Sequence, residues 1–356
     1  MKIGIDARIC DEDGYYGQYV WELILTFCKK NIQHDIIVYR NHGVDKDIEK
    51  TEFMTCDITR TQSMGDGKIK KIFQKEKFGM MIFFDHHIPH GYKGNFLVLI
   101  ESLKEVFFPK KKYFARRNYQ HKLQRAIKHS ERVLVMDGGS ALELNESLDV
   151  SEDKIEKIHG FFPKVINSNV GENRVDIAAK HNLRGKYLIY DSGNEMHNNF
   201  DRILKTMNKL KEKEVLLYLI ILCDETNKDI DVRSKSIEYD ISEQIIFLGA
   251  VDASIEKSYY TQSAGVVFSS IYESFPFHFS KALNYGVPIF ANDIPANKEV
   301  MGDTITYLDP LSIHNITDTL AQKLSFPETP DYSGIRDKFS AKNSARELVK
   351  ILELKN

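Results

Sequence analysis

Short apolar runs alternate along the chain with longer segments in which apolar residues recur at helical spacing. Each run, rich in Val, Ile, Leu and Phe, is typical of a buried strand. The predicted strands are residues 2–6, 35–39, 78–84, 95–100, 133–136, 155–161, 187–190, 215–223, 245–248, 265–268 and 287–291. The predicted helices are residues 19–29, 141–148, 200–211, 254–262, 275–285, 312–324 and 341–354. This alternation predicts an α/β protein with parallel sheets.

The length of 356 residues is enough for two domains, each with a core of its own. A polar segment with little apolar periodicity separates the two α/β runs and is interpreted as a linker. We expect an N-terminal domain at residues 1–165, the linker at 166–184 and a C-terminal domain at 185–335. A terminal helix is expected at residues 336–356.

Composition excludes several classes of protein. Hydrophobic residues make up 42% of the chain and charged residues 28%, and the net charge of -2 gives no reason to expect nucleic acid as a partner. The four cysteines are scattered without a C-x-x-C pair, which favours reduced thiols. The chain starts with a strand rather than a signal peptide, and no apolar run approaches the ~20 residues of a membrane span. We therefore expect a cytoplasmic protein.

One segment departs from the neutral average. From Lys104 to Arg132 the chain has ten Lys or Arg against two Glu, with aromatic residues between them. One interpretation is a solvated helix face. The other is a patch that meets anionic lipid or a phosphate-bearing acceptor, which would place the protein peripherally at the inner face of a membrane. Nucleic acid fits less well, because the rest of the chain is not basic.

Three histidines follow the predicted strand at residues 78–84, namely His86, His87 and His90. Metal binding would require further Cys, His or carboxylate residues at ligand spacing, and none accompanies them. We interpret these histidines as part of a polar loop at the edge of a cleft and predict no metal site.

The stretch at residues 266–291 concentrates the candidate chemistry. An apolar strand is followed by a polar turn with Glu273, by a helix that starts near Phe275 and ends before Gly286, and by a second strand. An acidic side chain and helix-start amides then lie at the carboxyl edge of a parallel sheet, where α/β proteins bind ligands. A glycine loop at residues 13–17 could bring backbone amides to a phosphate in the same way, although a plain turn explains it equally well.

Several motifs occur in a familiar order along almost the whole chain. They are GYYG at 14–17, IESL at 100–103, the strand and loop at 187–199, FLG at 247–249, ESF at 273–275, GVP at 286–288, EV at 299–300 and FS at 339–340. In this order they resemble the family-four glycosyltransferases, which are retaining enzymes. The resemblance implies the GT-B fold, with two Rossmann-like parallel-sheet domains facing a cleft. It also implies that the last helix crosses back to the N-terminal domain.

The implied activity is transfer of a sugar from a nucleotide-sugar donor to a glycan or lipid-linked acceptor, in surface polysaccharide or glycoconjugate synthesis. The N-terminal domain would face the acceptor and the C-terminal domain the donor, with no cofactor and no metal. The resemblance suggests Glu273 and Glu101 as catalytic residues. It suggests as donor-binding residues Gly17, Gly193, His197, Asn198, Phe275, Lys281 and Glu299.

Three positions depart from the family pattern. Glu101 stands where the family has a cleft histidine, Asn198 where it has a lysine, and Lys281 where it has the second of two glutamates. The family lysine stabilises charge on the leaving diphosphate, which a neutral amide cannot do. Lys281, swinging toward the phosphates, or a charged His197 could compensate. The alternative functions are a catalytically impaired GT-B protein that acts as partner or scaffold of an active glycosyltransferase, and a sugar or nucleotide sensor.

Overall fold

The computed structural model describes residues 1–11, 14–30, 34–40, 56–60, 66–109, 113–164, 174–192, 196–222 and 231–353. These form two compact units. The first unit comprises Met1–Pro163 together with Arg336–Asn356, and the second comprises Lys164–Ile335.

The first unit is built on a seven-stranded sheet in which neighbouring strands pair in parallel. Its strands are β1 (Lys2–Asp6), β2 (Asp35–Arg40), β3 (Cys56–Arg60), β4 (Met80–Phe83), β5 (Phe96–Leu99), β6 (Arg132–Val135) and β7 (Ile155–Lys157). Its order across the sheet is β3-β2-β1-β4-β5-β6-β7. The helices between these strands are α1 (Tyr15–Lys30), α2 (Asp66–Glu76), α3 (Lys104–Phe107), α4 (Tyr113–His129) and α5 (Gly138–Leu148).

The second unit has a six-stranded parallel sheet in the order β10-β9-β8-β11-β12-β13. Its strands are β8 (Lys186–Tyr190), β9 (Leu217–Ile221), β10 (Ile245–Phe247), β11 (Gly265–Phe268), β12 (Ile289–Asn292) and β13 (Thr306–Leu308). Its helices are α6 (Ile177–His181), α7 (Phe200–Glu212), α8 (Val232–Glu238), α9 (Ala253–Thr261), α10 (Ser280–Tyr285), α11 (Pro295–Met301) and α12 (Ile313–Ser325), and α13 (Ser333–Lys338) spans the boundary between the units.

Close packing in the second unit needs a glycine at the start of β11. A β-carbon added to Gly265 would lie 2.4 Å from Cε2 of Phe290 on β12 and 2.9 Å from the carbonyl oxygen of Pro288, too close for a real side chain. Phe290 is buried in the same core as Val267 and Leu188, so the glycine lets an aromatic ring fill the space beside the central strands.

The last helix, α14 (Ala341–Glu353), completes the first unit by packing against α1. Its Ser344, Ala345 and Leu348 are buried. Glu347 accepts hydrogen bonds from the backbone N–H of His159 at 2.8 Å and from its ring Nδ1 at 2.7 Å. The hydroxyl of Ser344 donates to the carbonyl of His159 at 2.6 Å. Hydrophobic burial and paired polar groups therefore hold α14 on the first unit.

Several details differ from the sequence-based expectation. Helix α1 begins at Tyr15, so Gly17 lies in the first turn of a helix rather than in a loop, and the predicted glycine loop is wrong over this part. Helix α5 begins at Gly138 with Asp137 as its cap, because the Asp137 carboxylate accepts from the N–H of Ser140 at 2.9 Å. The helix therefore starts three residues before the predicted start at residue 141.

Strands β3 and β13 and helices α2, α3, α6, α8, α11 and α13 were not predicted. The expected helix at residues 275–285 is divided into a 3-10 turn at Phe277–Phe279 and the short helix α10. Gly286 ends α10 in the left-handed conformation with φ of 66°, as the sequence predicted. Within the described part of the chain, no helix has the length and apolar character needed to cross a bilayer.

We predict that Leu348→Ala lowers the free energy of unfolding of the first unit by about 2–5 kcal/mol, because it leaves a cavity where α14 meets the unit. The exposed Lys350 on the same helix is the control, and Lys350→Ala should change it by less than about 0.5 kcal/mol. Urea unfolding with hydrogen exchange of α1 measures both. Unchanged protection of α1 in Leu348→Ala would contradict the packing role of α14.

Candidate functional site

The order in which the chain adds strands to the second sheet reverses between β8 and β11. From β8 the chain adds β9 and β10 on one side, and from β11 it adds β12 and β13 on the other side. The connections that follow β8 and β11 therefore lead to opposite sides of the sheet. Open α/β sheets bind ligands at such a point of their carboxyl edge. Residues 269–276 follow β11, and the 3-10 turn Met196–Asn198 lies in the loop after β8.

Hydrogen bonds join these two loops. The hydroxyl of Ser269 donates to the carbonyl of Asn198 at 2.5 Å, and the hydroxyl of Ser270 donates to the Asn198 side-chain oxygen at 3.3 Å. The N–H of Ile271 donates to the carbonyl of His197 at 2.8 Å. His197, Asn198 and both serines are buried. Asn198 thus joins the loops from inside the unit, which accounts for an amide at this position in structural terms.

The end of β12 supports the same loop. Asn292 is fully buried, and its side-chain N–H groups donate to the carbonyls of Ser269 at 2.5 Å and Ser270 at 3.2 Å. Asn297, on α11, donates in turn to the carbonyl of Asn292 at 2.9 Å. Three neighbouring strand ends are therefore linked by buried amide and hydroxyl groups, which hold the loop before Glu273 in one conformation.

Glu273 follows this supported loop, and its side chain is only 16% exposed. His278 is its neighbour, with Nε2 4.0 Å from the Glu273 carboxylate and a side chain that is 40% exposed. The carboxylate is thus held near the surface of the unit, at the carboxyl edge of β11. This position suits contact with a polar ligand.

Lys281, on α10, lies between two carboxylates rather than in solvent. Its Nζ is 2.7 Å from Glu256 on α9 and 3.3 Å from Asp191, the residue that follows β8. Tyr260 donates to Asp191 at 2.5 Å and Tyr285 donates to Glu256 at 3.3 Å. Burial, with the charge of Glu256, raises the pKa of Tyr285 to about 12. We call Lys281, Asp191, Glu256 and the two tyrosines the Lys281 cluster.

The other predicted donor-binding residues of this unit have separate places. The ring of Phe275 is buried and packs against Phe277, with 4.9 Å between the ring centroids. Glu299 is half-buried on α11. Gly193 lies outside the described residues.

Two predicted site residues belong to the first unit. Glu101 is exposed and follows the end of β5 by two residues. Its charge contributes to a raised pKa of Tyr119. Burial is the main cause, followed by the charges of Glu105 and Glu101, and together they raise the pKa of Tyr119 to about 12. Gly17 is buried in α1. In the described part of the chain, no three His, Cys, Asp or Glu side chains form a group that could hold a metal ion.

The sequence did not identify five residues of the site, namely Ser269, Ser270, Asn292, Asp191 and Glu256. For the first three a signal was present, since each polar residue directly ends an apolar strand run. Asp191 and Glu256 are 65 positions apart in sequence and meet only through the packing of α9 beside β8. No local pattern could have paired them with Lys281.

Residues 175–335 match the family model described as glycosyl transferases group 1. This segment contains the entire second sheet and the loops at its carboxyl edge. The matched segment includes Glu273, His197, Asn198 and the Lys281 cluster.

Relatives extend the similarity beyond that segment. Over 216 residues, the chain is 20% identical to the O-antigen chain mannosyltransferase RfbU of Salmonella typhimurium. The match covers 61% of this chain and 57% of that protein, so this chain spans little more than half of the length of that curated relative.

Solved structures are similar over the full length of the chain. The apo form of the lipopolysaccharide outer core galactosyltransferase WaaB has a TM-score of 0.67 at 14% identity, with 100% of both chains covered. Anabaena HepE, solved in complex with UDP and glucose, has a TM-score of 0.69 at 11% identity, with 99% of both chains covered. The expected GT-B fold, with two Rossmann-like parallel-sheet domains, is confirmed.

We predict that Lys281→Glu, which introduces the residue that the family resemblance implies, lowers the free energy of unfolding by about 1–3 kcal/mol, because three carboxylates would then meet in a half-buried cluster. Exchanging the charges with Lys281→Glu and Glu256→Lys together should recover most of this loss. Urea denaturation of the wild type, both single variants and the double variant measures the coupling.

Lys209→Glu is the matched control, since Lys209 is 53% exposed and paired to one surface carboxylate. Its effect should stay below about 1 kcal/mol. Additive losses in the Lys281 and Glu256 double variant would contradict the structural role of the Lys281 cluster.

Proposed function

We propose that the chain is a glycosyltransferase that moves a sugar from a nucleotide-sugar donor to a glycan or lipid-linked acceptor in surface polysaccharide or glycoconjugate synthesis. The observation that carries this proposal is the family match over residues 175–335, together with Glu273 on a loop fixed by buried hydrogen bonds within that segment. The relatives named above as mannosyltransferase and galactosyltransferase support the class of reaction.

The donor would bind at the carboxyl edge of the second sheet. HepE was solved with UDP and glucose, which supports a nucleoside diphosphate sugar as the donor of a similar fold. Glu273 would contact the transferred sugar, and the backbone N–H groups of Ser274 and Phe275 would contact the diphosphate. His197, Asn198, Phe275, Gly193, Glu299 and Gly17 remain proposed donor contacts, those of Asn198 and Phe275 being made through backbone groups.

In this reaction the bond between the anomeric carbon and the diphosphate oxygen breaks, and a hydroxyl oxygen of the acceptor bonds to the same carbon. The hydroxyl proton leaves with the nucleoside diphosphate or to solvent. Charge accumulates on the leaving diphosphate, so the rate depends on donors that stabilise this charge. Retention of configuration, independence of metal and a role for Glu101 near the acceptor are further parts of the proposal.

The Lys281 cluster changes the role expected of Lys281. With two carboxylates within 3.3 Å of its Nζ, this lysine is neutralised inside the unit and is poorly suited to reach a phosphate. We therefore assign Lys281 to the support of the donor loop. Charge on the diphosphate would be met by loop amides and by His197 when protonated. A protein without catalysis, serving as a scaffold, is the alternative that the following experiment separates.

Glu273→Gln should reduce sugar transfer or donor hydrolysis by about 10²–10³-fold while UDP or GDP still binds, since the variant removes the charge but keeps the shape. Titration calorimetry with each nucleotide and a turnover assay with a panel of nucleotide sugars measure the two effects. Glu243→Gln is the control, because Glu243 is an exposed glutamate of the same unit. If the wild type binds neither nucleotide and turns over no donor, the transferase proposal is wrong and the scaffold is favoured.

A further inference from the structure

The first unit has a cavity of about 440 Å³ that the proposed donor chemistry does not use. It lies at the carboxyl edge of the first sheet, where the strand order reverses between β1 and β4. Asp6 and Arg8 line it from the end of β1, and Asp85, His87, Ile88 and His90 line it after β4. The cavity therefore occupies the position at which an open parallel sheet binds ligands, and its volume is within the range of small-molecule sites, about 300–1,000 Å³.

Helix α4 forms one wall of this cavity with Asn118, His121, Lys122 and Arg125. These residues are spaced i, i+3, i+4 and i+7, so they share one face of the helix. None of the described residues pairs with Lys122 or His121 through a hydrogen bond or ion pair. The wall thus presents polar groups to the cavity that are available to a ligand.

The two carboxylates in the cavity are already compensated. Arg8 binds Asp6 with two hydrogen bonds, from Nε at 2.8 Å and from Nη2 at 2.6 Å. Burial raises the pKa of Asp6, although Arg8 acts in the opposite direction. Asp85 accepts from the N–H of His87 at 2.7 Å and from its ring Nδ1 at 3.2 Å. Burial opposes ionisation of Asp85, but His87 outweighs it and lowers the pKa.

The remaining cations face the cavity without a carboxylate partner among the described residues. Arg125 donates to the carbonyl of Ile88 at 2.5 Å and to His90 Nδ1 at 2.5 Å, and neither acceptor is a carboxylate. Because a guanidinium can only donate, His90 Nδ1 carries no hydrogen, and its Nε2–H is a further donor. Lys122, Arg125, His90 and Asn118 together form a donor-rich wall with net positive charge, which suits an anion with several acceptor oxygens.

We propose that this cavity binds a phosphate or diphosphate group of the acceptor. The identity of this ligand as the acceptor rests on the proposed function, whereas the anion site rests on the cavity alone. Arg125 is fixed by two hydrogen bonds and so is preorganised, while Lys122 supplies a mobile charge. This assignment gives the basic segment from Lys104 to Arg132 a specific role, because its helix face at residues 118–125 recognises a phosphoryl group rather than serving as a solvated surface.

The same helix face continues to Phe114, four residues before Asn118, and the Phe114 side chain is 83% exposed. A phosphate in the cavity would have its attached group near this aromatic ring. The attached group could come from a lipid carrier or from a glycan, and the two sources share the phosphoryl chemistry that the cavity recognises.

The test uses inorganic pyrophosphate and the full chain without donor. Diethylpyrocarbonate modification of His121, mapped by mass spectrometry, should slow in the presence of pyrophosphate, and titration calorimetry gives the dissociation constant. Lys122→Gln should weaken pyrophosphate binding by about 5- to 50-fold, the range expected for one charge-assisted hydrogen bond. Lys128→Gln, which removes an exposed cation outside the cavity on the same helix, should change binding by less than about twofold.

No protection of His121 by pyrophosphate, or equal weakening by Lys122→Gln and Lys128→Gln, would overturn the site. The readout requires no sugar transfer, so failure here is distinct from failure of the Glu273 assay. A second arm compares farnesyl diphosphate with glucose 1-phosphate in wild type and Phe114→Ser. Tighter farnesyl diphosphate binding that Phe114→Ser removes supports a lipid-linked phosphate, and preference for glucose 1-phosphate with no effect of Phe114 supports a phosphorylated glycan.

Discussion

Hydrogen bonds between buried amides and hydroxyls are the constraint on which the candidate donor site depends. Ser269, Ser270 and Asn198 would each carry a desolvated polar group at the edge of the second sheet if they were not paired with one another. Leaving one such group unpaired costs about 1–3 kcal/mol, so the loops after β8 and β11 have few alternative arrangements. Asn292 extends the network to β12. Glu273 comes directly after the loop that all three strand ends hold.

The Lys281 cluster shows how a residue that looks unfavourable in the sequence can be compensated by its neighbours in the folded structure. The family resemblance implies a glutamate at position 281, whereas this chain has a lysine whose charge is met by Glu256 and Asp191. One cation between two carboxylates keeps that corner of the unit net negative. The acidic groups that meet Lys281 come from α9 and from the residue that follows β8.

The sequence was informative where the physics is local and much less so where it depends on packing. Apolar runs located β1, β8 and β11, and Gly286 marked the end of α10, because burial and backbone conformation leave direct traces in residue type. Strand β3 (CDITR) is mostly polar, and helix α1 begins among tyrosines, so neither boundary had an apolar signal. The contacts of Lys281 with Glu256 and Asp191, and the cavity that α4 and the end of β1 both line, are set by topology and could not be predicted from local sequence patterns.

The packing of α14 against α1 has a consequence for synthesis of the chain. Lys30 ends α1 and Ala341 begins α14, so about 310 residues must be translated between two helices that share one hydrophobic interface. At about 5–20 residues per second this takes roughly 15–60 s, longer than many domains need to fold. During that interval the second unit can mature while the nascent first unit still exposes the α1 surface that α14 covers. The second unit can therefore finish folding before the first unit, although the first unit begins the sequence.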